Sequence, residues 1–332
     1  MSLNLREIPA KAAVHPNDSV PRDGRGSPLI IPPDGGKPMV LTRTTTFIDC
    51  IEDKSALSTW KQRMTLLGAA EQPSILGETE GLNPSSPEGK RKLNALAERA
   101  ADVAGASKAS AQGTHLHTLS EYVDRGEPLP QGTTPEEVEL MASYMIETSG
   151  LHMISAEQFV VVPELGVGGT FDRTAELDFP CRSGDACPGR HIVDLKTGGE
   201  TAIDYGKIKM PAQLAIYSRG QKYDHTVFPA PTRIRGDKES EKAWAKWRKT
   251  EVSAEEAAKA YEPLGDICQD WGIIIHLPQD GTECNLYWAD LRQGWDDALF
   301  ALDIRARRAR KGGLIRLVSQ VTREGSSSST PV

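Results

Sequence analysis

The segment His191–Thr197 (HIVDLKT) contains an acidic and a basic residue whose separation would place both side chains on the same face of a β-strand. Asp194 and Lys196 are two positions apart. Because successive strand side chains alternate between faces, these two project the same way, about 7 Å apart. Val193 and Leu195 project to the other face and can pack. Such a pair is costly to bury unless it is ion-paired or metal-bound, and the alternative is a strand with a solvated polar face.

A second carboxylate lies on a predicted strand at Thr170–Asp178, where Asp172 follows the glycine-rich turn GVGG. Alternation predicts that Phe171 and Ala175 lie on the face opposite Asp172. If the two strands are neighbours, Asp172 and Asp194 can converge on one cation. Two carboxylates and waters suit Mg²⁺ or Mn²⁺. The alternative is two exposed acids at a sheet edge.

A histidine and a polar pair on helices extend this set. Leu116, Leu119 and Val123 have helical spacing and predict a buried stripe, with His117 at its border. A helical histidine is more often packed or hydrogen-bonded than a ligand, and His115 is a competing candidate.

Gln213 and Tyr217 are four positions apart, so they share one helical face. A polar glutamine beside an amphipathic tyrosine can contact a phosphate, a base or Lys196. The alternative is an ordinary amphipathic helix.

The elements that must position these residues change from helical to strand periodicity along the chain. Helices are predicted at 53–69, 88–104, 113–126, 133–150, 207–221 and 294–311. Strands are predicted at 157–163, 170–178, 191–197, 271–277 and 283–289. This order favours an α/β fold, a mixed twisted β-sheet flanked by α-helices on both sides.

Composition limits the class of protein. The chain has 332 residues, and 39 basic against 46 acidic side chains give a net charge of −7. A histone-like coat for nucleic acid is therefore excluded, and any DNA contact must come from local basic clusters. There is no apolar run long enough for a transmembrane helix or a secretory signal, and the five cysteines are too few for a disulfide framework. We therefore expect a cytoplasmic protein without membrane contact.

In chain order the chemistry-bearing residues form four motifs: Gly113-Thr-x-x-His117, Gly169-Thr-Phe-Asp172, Asp194-Leu-Lys196 and Gln213-x-x-x-Tyr217. Together they resemble the RecB-like exonuclease branch of the PD-(D/E)XK nuclease superfamily, especially the phage-encoded members related to the CRISPR-associated RecB-like exonucleases. The resemblance covers about residues 107–222. It implies a restriction-endonuclease-like core within a nuclease domain at 107–312. A flexible leader at 1–40, a helical region at 41–106 and a basic segment with a disordered tail at 313–332 would complete the chain.

The resemblance also implies residue roles. The motif lysine Lys196 would be catalytic, and Mg²⁺ or Mn²⁺ would be bound by His117, Asp172, Asp194 and the backbone carbonyl of Leu195. Gln213 and Tyr217 would lie beside the active site and the DNA. Glu157 would be a supporting acid at the start of the first core strand.

The expected function is a metal-dependent DNA exonuclease in phage DNA recombination or processing. Its partners would be linear or single-stranded DNA ends and a recombination protein or helicase in the host cytoplasm. Two alternatives stay open: a non-catalytic DNA-end-binding adaptor on a nuclease scaffold, and a structure-specific endonuclease such as a junction resolvase.

The cysteines suggest further metal chemistry. Many RecB-like relatives hold an iron–sulfur cluster through four cysteines, but here Cys50, Cys268 and Cys284 are one ligand short and lack a C-x-x-C run, so a cluster is not expected. Cys181, Cys187 and His191 form a C-x5-C-x3-H group. Two free thiols in a hairpin loop is the favoured interpretation, and a zinc site is the alternative.

The stretch 305–323 contains seven basic residues and no acid. This asymmetry favours a phosphate-contacting arm that includes Arg305, Arg307 and Arg308. The alternative is a solvated helix end favoured by the helix dipole.

Overall fold

The structure is a computed structural model, and it describes residues 20–199, 201–279 and 283–312. The strands are β1 Leu29–Ile30, β2 Met39–Val40, β3 Thr42–Arg43, β4 Leu151–Val162, β5 Val167–Leu177, β6 Arg190–Lys196, β7 Gln221–Tyr223, β8 Tyr261–Pro263, β9 Trp271–His276 and β10 Asn285–Asp290. The helices are α1 Thr44–Ile48, α2 Ser55–Glu71, α3 Ser74–Gly77, α4 Pro87–Val103, α5 Ala106–Asp124, α6 Pro135–Glu147, α7 Ala202–Gly206, α8 Lys209–Ser218, α9 Lys238–Trp247, α10 Ala254–Ala258 and α11 Leu291–Arg308.

The central sheet is mixed, as predicted. Its strands run in the order β10-β9-β6-β5-β4-β7-β8, and β3 pairs with β5 in parallel. β4, β5 and β6 are antiparallel neighbours, whereas β6 and β9 are parallel and align Asp194 with Ile274. A parallel pair requires a crossover connection, and the chain from β6 to β9 supplies one that includes α8. The α/β prediction is confirmed.

Helices cover both faces of this sheet. On one face, Leu116 and Leu119 of α5 and Tyr144 of α6 pack with Val193 and Leu195 of β6. The stripe predicted on α5 and the packing predicted for the two β6 side chains are therefore confirmed. On the other face, α8 packs against strand side chains that point away from α5 and α6. Leu214 of α8 and Ile192 of β6 are among the residues in this contact.

Local sequence signals explain where the main helices begin. α6 starts with a capping box in which the Thr134 side chain accepts from the Glu137 amide and Glu137 accepts from the Thr134 amide, with Pro135 in the first turn. Ser86 caps α4 by accepting from the amide of Gly89. α11 begins three residues before the predicted start because Asp290 accepts from the amides of its first turn.

Other boundaries differ more. β4 begins at Leu151, six residues before the predicted start, because it pairs along its length with β5. α5 begins at Ala106, seven residues early. The added residues of β4 and of α5 show little hydrophobic periodicity. Their secondary structure therefore depends on contacts with other segments of the chain and not on their own sequence pattern.

Residues 20–40 pack on the sheet instead of forming a flexible leader. Leu29, Ile30 and Ile31 are buried. The Ile31 amide donates to the Tyr223 hydroxyl at 3.0 Å, and the Tyr261 hydroxyl donates to the Ile31 carbonyl at 2.6 Å. The apolar triplet therefore holds this segment in place, because its burial removes apolar surface from water. Residues 1–19 and the predicted basic segment at 313–332 lie outside the described residues.

Within the described part of the chain, none of the helices combines the length and apolar character that crossing a membrane requires.

Candidate active site

The strands that carry the two aspartates are neighbours. β5 and β6 are antiparallel, and their last paired residues on this side are Arg173 and Val193. One position further along each strand, Asp172 comes beside Asp194. The backbone amide of Leu195 donates a hydrogen bond of 2.9 Å to Asp172 Oδ2. The Asp172 carboxylate thus lies against the backbone of the strand that carries Asp194.

His117 on α5 reaches the same carboxylate. Its Nδ1 lies 3.6 Å from Asp172 Oδ2. His115, two positions earlier, points to α6 instead, with its Nε2 at 3.1 Å from Glu137 Oε1. The structure therefore brings His117, and not its competitor His115, to the aspartates.

The remaining motif residues surround Asp194. The Lys196 ammonium forms an ion pair with Asp194 Oδ2. Gln213 Nε2 lies 3.5 Å from Asp194 Oδ1 and 3.5 Å from the Tyr217 hydroxyl. Asp194 is 2% exposed, whereas the Lys196 side chain is 25% exposed. Lys196 is therefore the member of this pair that faces solvent.

Burial and neighbouring charge set the protonation of this pair. Burial raises the pKa of Asp194, and the nearby Asp172 carboxylate raises it further, although Lys196 and His117 act in the opposite direction. Burial lowers the pKa of Lys196, but Asp194 and Asp172 outweigh it, so the pKa lies above 10.5. Lys196 is thus a cation at neutral pH, held beside two acids.

Glycines allow close approach at two of the four motifs. A Cβ on Gly169 would lie 2.9 Å from Tyr217 Cε1 and 2.9 Å from Thr44 Oγ1, so glycine lets the tyrosine of α8 reach the strand of Asp172. A Cβ on Gly113 would lie 2.8 Å from Thr197 Oγ1. Glycine there lets α5 bring His117 against the end of β6.

Burial raises the pKa of Tyr217, with Asp194 and Asp172 adding to it, so its hydroxyl stays a donor.

The predicted alternation along β5 fails at Asp172. Ala175 packs on the face of α5 and α6, but Phe171 packs on the face of α8, where alternation would have put it with Ala175. The break lies opposite Glu157, which has a φ of 47° between the pairs Ala156–Arg173 and Gln158–Phe171. A non-glycine residue in this conformation interrupts the regular pleat. Asp172 can therefore meet α5 while Asp194 faces α8.

Glu157 lies in the middle of β4 and not at the start of the first core strand as predicted. Its position in the register is opposite Asp172, and it also lines a cleft of about 350 Å³ with Lys222 and Lys259. No periodic signal could have predicted its positive φ, because the sequence around it reads as a regular strand.

Arg305 contacts the protein's own N-terminal part. Its guanidinium lies 5.4 Å from the Phe47 ring centroid, and Nη1 donates to the Thr46 carbonyl at 3.3 Å. Arg307 forms an ion pair with Asp303 one turn earlier. Arg308 is the third arginine predicted to contact phosphate. It is exposed, and it makes neither a contact like that of Arg305 with the Phe47 ring nor an ion pair like that of Arg307 among the described residues.

Asp172, Asp194 and His117 offer donors of the kind that hold a hard divalent cation, although in the structure their ligand atoms do not all lie within 4.8 Å of one another. His117 contacts the Asp172 carboxylate, and the more buried carboxylate, Asp194, has its pKa raised by burial and by Asp172. A divalent ion would relieve this repulsion, and oxygen-rich sets of this kind suit Mg²⁺ and Mn²⁺. Such an ion would be held by Asp172, Asp194 and His117, with the Leu195 backbone beside it.

A second group of side chains can also bind a metal. Ligand atoms of Cys181, Cys187, His191 and Cys268 all lie within 4.8 Å of one another. The sequence-based interpretation as two free thiols missed Cys268, which lies 77 positions after His191. Pairing of β6 with β9 brings it there, and no local spacing indicates this. Cys284 lies instead in the core beside α5 and α6, and Cys50 lies against the Ala301 carbonyl of α11.

No protein-family model matches the chain, and no curated protein is significantly similar to it.

Proposed function

We propose that the chain is a metal-dependent DNA exonuclease that hydrolyses phosphodiester bonds at the site of Asp172, Asp194 and Lys196. One observation supports the proposal: residues from α5, β5, β6 and α8, far apart in sequence, form a chain of contacts from His117 to Asp172, from Asp172 to the Leu195 amide, and from Asp194 to Lys196 and Gln213. DNA as the substrate rests on the resemblance of the motifs to RecB-like nucleases.

Lys196 stabilises negative charge in this proposal. Because Asp194 and Asp172 raise its pKa, it is an ammonium with donors and no acceptor, so it does not take a proton from water at neutral pH. It instead orients the attacking water by donation and stabilises the charge that develops on the phosphate oxygens. Asp194 holds the ammonium in place.

The other residues bind and orient. Asp172 is fixed by the Leu195 amide and faces His117, so its position depends on both β6 and α5. Gln213 and Tyr217 present donors from α8 beside Asp194, where they can contact the phosphate backbone. A bound Mg²⁺ or Mn²⁺ would polarise the phosphate and lower the pKa of a bound water.

The cysteine-containing group takes no part in hydrolysis in this proposal. It lies at the opposite end of β6, since His191 precedes Asp194 by three residues on the strand. Zinc at that group would be structural.

The substrate test is a time course on DNA labelled at its ends. We expect release of labelled nucleotides from linear DNA with Mg²⁺ or Mn²⁺, none with chelator, and no nicking of a closed circle. Cleavage of the circle at the same rate would show an endonuclease. Metal-dependent binding of ends without any hydrolysis would show a non-catalytic adaptor, and either result would refute the exonuclease proposal.

A further inference from the structure

Three thiols and one imidazole are gathered at the turn end of the β5–β6 hairpin. Cys181 and Cys187 lie in the hairpin loop, His191 lies on β6, and Cys268 precedes β9. His191 and Cys268 are each 1% exposed. We propose that these four residues bind one zinc ion, which fastens the hairpin to the segment before β9.

The distances fit a single tetrahedral ion. His191 Nε2 lies 3.2 Å from Cys181 Sγ and 3.5 Å from Cys187 Sγ. With Zn–S bonds of about 2.3 Å and Zn–N bonds of about 2.1 Å, tetrahedral geometry separates neighbouring ligand atoms by about 3.5–3.8 Å. An iron–sulfur cluster would need wider spacing, because its cysteines bind different iron atoms.

The chemistry of the donors selects the metal. Three sulfurs and one imidazole nitrogen are soft or borderline ligands, which favour zinc over Mg²⁺ or Mn²⁺. All four positions of a tetrahedral ion would be filled by protein, as in structural zinc sites and not in catalytic ones. The group can therefore hold zinc without an open position for substrate.

His191 gives a second, independent indication. It is buried, its Nδ1 has no hydrogen-bond partner among the described residues, and its Nε2 lies against the sulfurs. Coordination through Nε2 would leave the proton on Nδ1, so it is the position of Nε2 against the Cys181 and Cys187 sulfurs that indicates a ligand role. Trp288 packs with the ring in an edge-on arrangement.

The elements are already aligned for such a centre. The Cys268 amide donates to the Arg190 carbonyl at 2.7 Å, and the Ser183 hydroxyl donates to Asp270 Oδ2 at 2.9 Å. The ligands therefore need little movement to bind an ion. Closing the 77-position separation between His191 and Cys268 would restrict the unfolded chain and stabilise the pairing of β6 with β9.

The test is the zinc content of the full-length chain, measured by elemental analysis after purification without a polyhistidine tag and without added metal. We expect about one zinc per chain, consistent with a single four-ligand site. Cys268→Ser should lose most of this zinc, whereas Cys50→Ser, which changes a cysteine outside the group, should keep it. Asp194→Asn should keep it as well, because the zinc site does not depend on the proposed nuclease site.

Wild-type protein provides a measurement that does not depend on folding of the variants. A mercurial that titrates thiols should release the zinc to a coloured chelator, and replacement by Co²⁺ should give the visible absorption of tetrahedral cobalt thiolate. Chelation of zinc should also lower the melting temperature. Wild-type protein without zinc, iron in its place, or full zinc retention by a folded Cys268→Ser variant would overturn the proposal.

Discussion

Asp194 is a carboxyl group that the fold buries beside another acid. Burial and Asp172 raise its pKa, and Lys196 partly compensates. This arrangement disfavours the charged form of Asp194 unless a cation such as the Lys196 ammonium lies beside it. Carboxyl groups with raised pKa values at such positions are typical of functional sites.

The raised pKa of Asp194 gives the site a predictable pH dependence. On acidification, a proton returns to Asp194 at a pH above the ordinary value of 3.8, and it competes with the divalent ion for the same oxygens. We expect activity to fall on the acid side, and we expect a higher concentration of Mg²⁺ or Mn²⁺ to move this fall to lower pH. Rate profiles at several metal concentrations measure it, and an acid limb that does not move with metal would contradict this assignment.

His117 and His115 form a matched pair on one helix. His117 lies against Asp172, whereas His115 pairs with Glu137 on α6. We therefore expect His117→Ala to lower activity by about 10-fold or more, mainly by raising the metal concentration needed, because losing even a residue that only orients a ligand costs about 10–100-fold in metal affinity. His115→Ala should leave the metal dependence of hydrolysis as in wild type. Equal effects of the two changes on that dependence would rule out a ligand role for His117.

At the scale of elements, α5 is joined to β5 by a buried polar network. Arg173, the residue after Asp172, is 2% exposed and forms an ion pair with Asp124 of α5. Its guanidinium also donates to the Ser120 hydroxyl at 2.5 Å, and the Tyr144 hydroxyl donates to Asp124 Oδ1 at 2.7 Å. This network fixes the helix of His117 against the strand of Asp172.

Removing the charge of Asp124 should therefore be costly. Asp124→Asn would leave the Arg173 guanidinium buried without its anion, and we expect the free energy of unfolding to fall by about 3–5 kcal/mol. The control is Glu127→Gln, which removes the exposed one of two carboxylates that pair with Arg125, leaves Glu121 in place, and should cost about 1 kcal/mol or less. Denaturant unfolding measures both. Similar losses in the two variants would show that the network does not hold α5 to β5.

The sequence allowed the α/β fold, the main strands and the stripe of α5 to be predicted, because these follow from hydrophobic period and capping residues. The inversion of faces at Asp172 could not be predicted, since it depends on the positive φ of Glu157. The extension of β4 to Leu151 likewise depends on pairing with β5. Local patterns predict elements, and long-range pairing decides where strands begin and which face a residue takes.

At the scale of the whole molecule, two centres lie at opposite ends of β6. Asp194 and Lys196 are near its C-terminal end, and His191 of the cysteine-containing group is near its N-terminal end. The first centre was predicted because each motif has a local spacing. For the second, Cys181, Cys187 and His191 were predicted from the sequence with zinc as the alternative interpretation, and Cys268 was missed because it joins the group through the parallel pairing of β6 and β9. We therefore expect the two metals to be separable by mutation.

The most direct test of the central claim compares hydrolysis of linear DNA by four single variants with that of the wild type, at fixed Mg²⁺ or Mn²⁺. Asp194→Asn and Lys196→Ala should each lower the rate by about 100-fold or more, because each removes a charge that acts on the transition state. Asp102→Asn and Lys90→Ala make the same changes at exposed positions of α4 and should retain wild-type activity. Folded Asp194→Asn and Lys196→Ala proteins that hydrolyse DNA as fast as wild type would contradict the account.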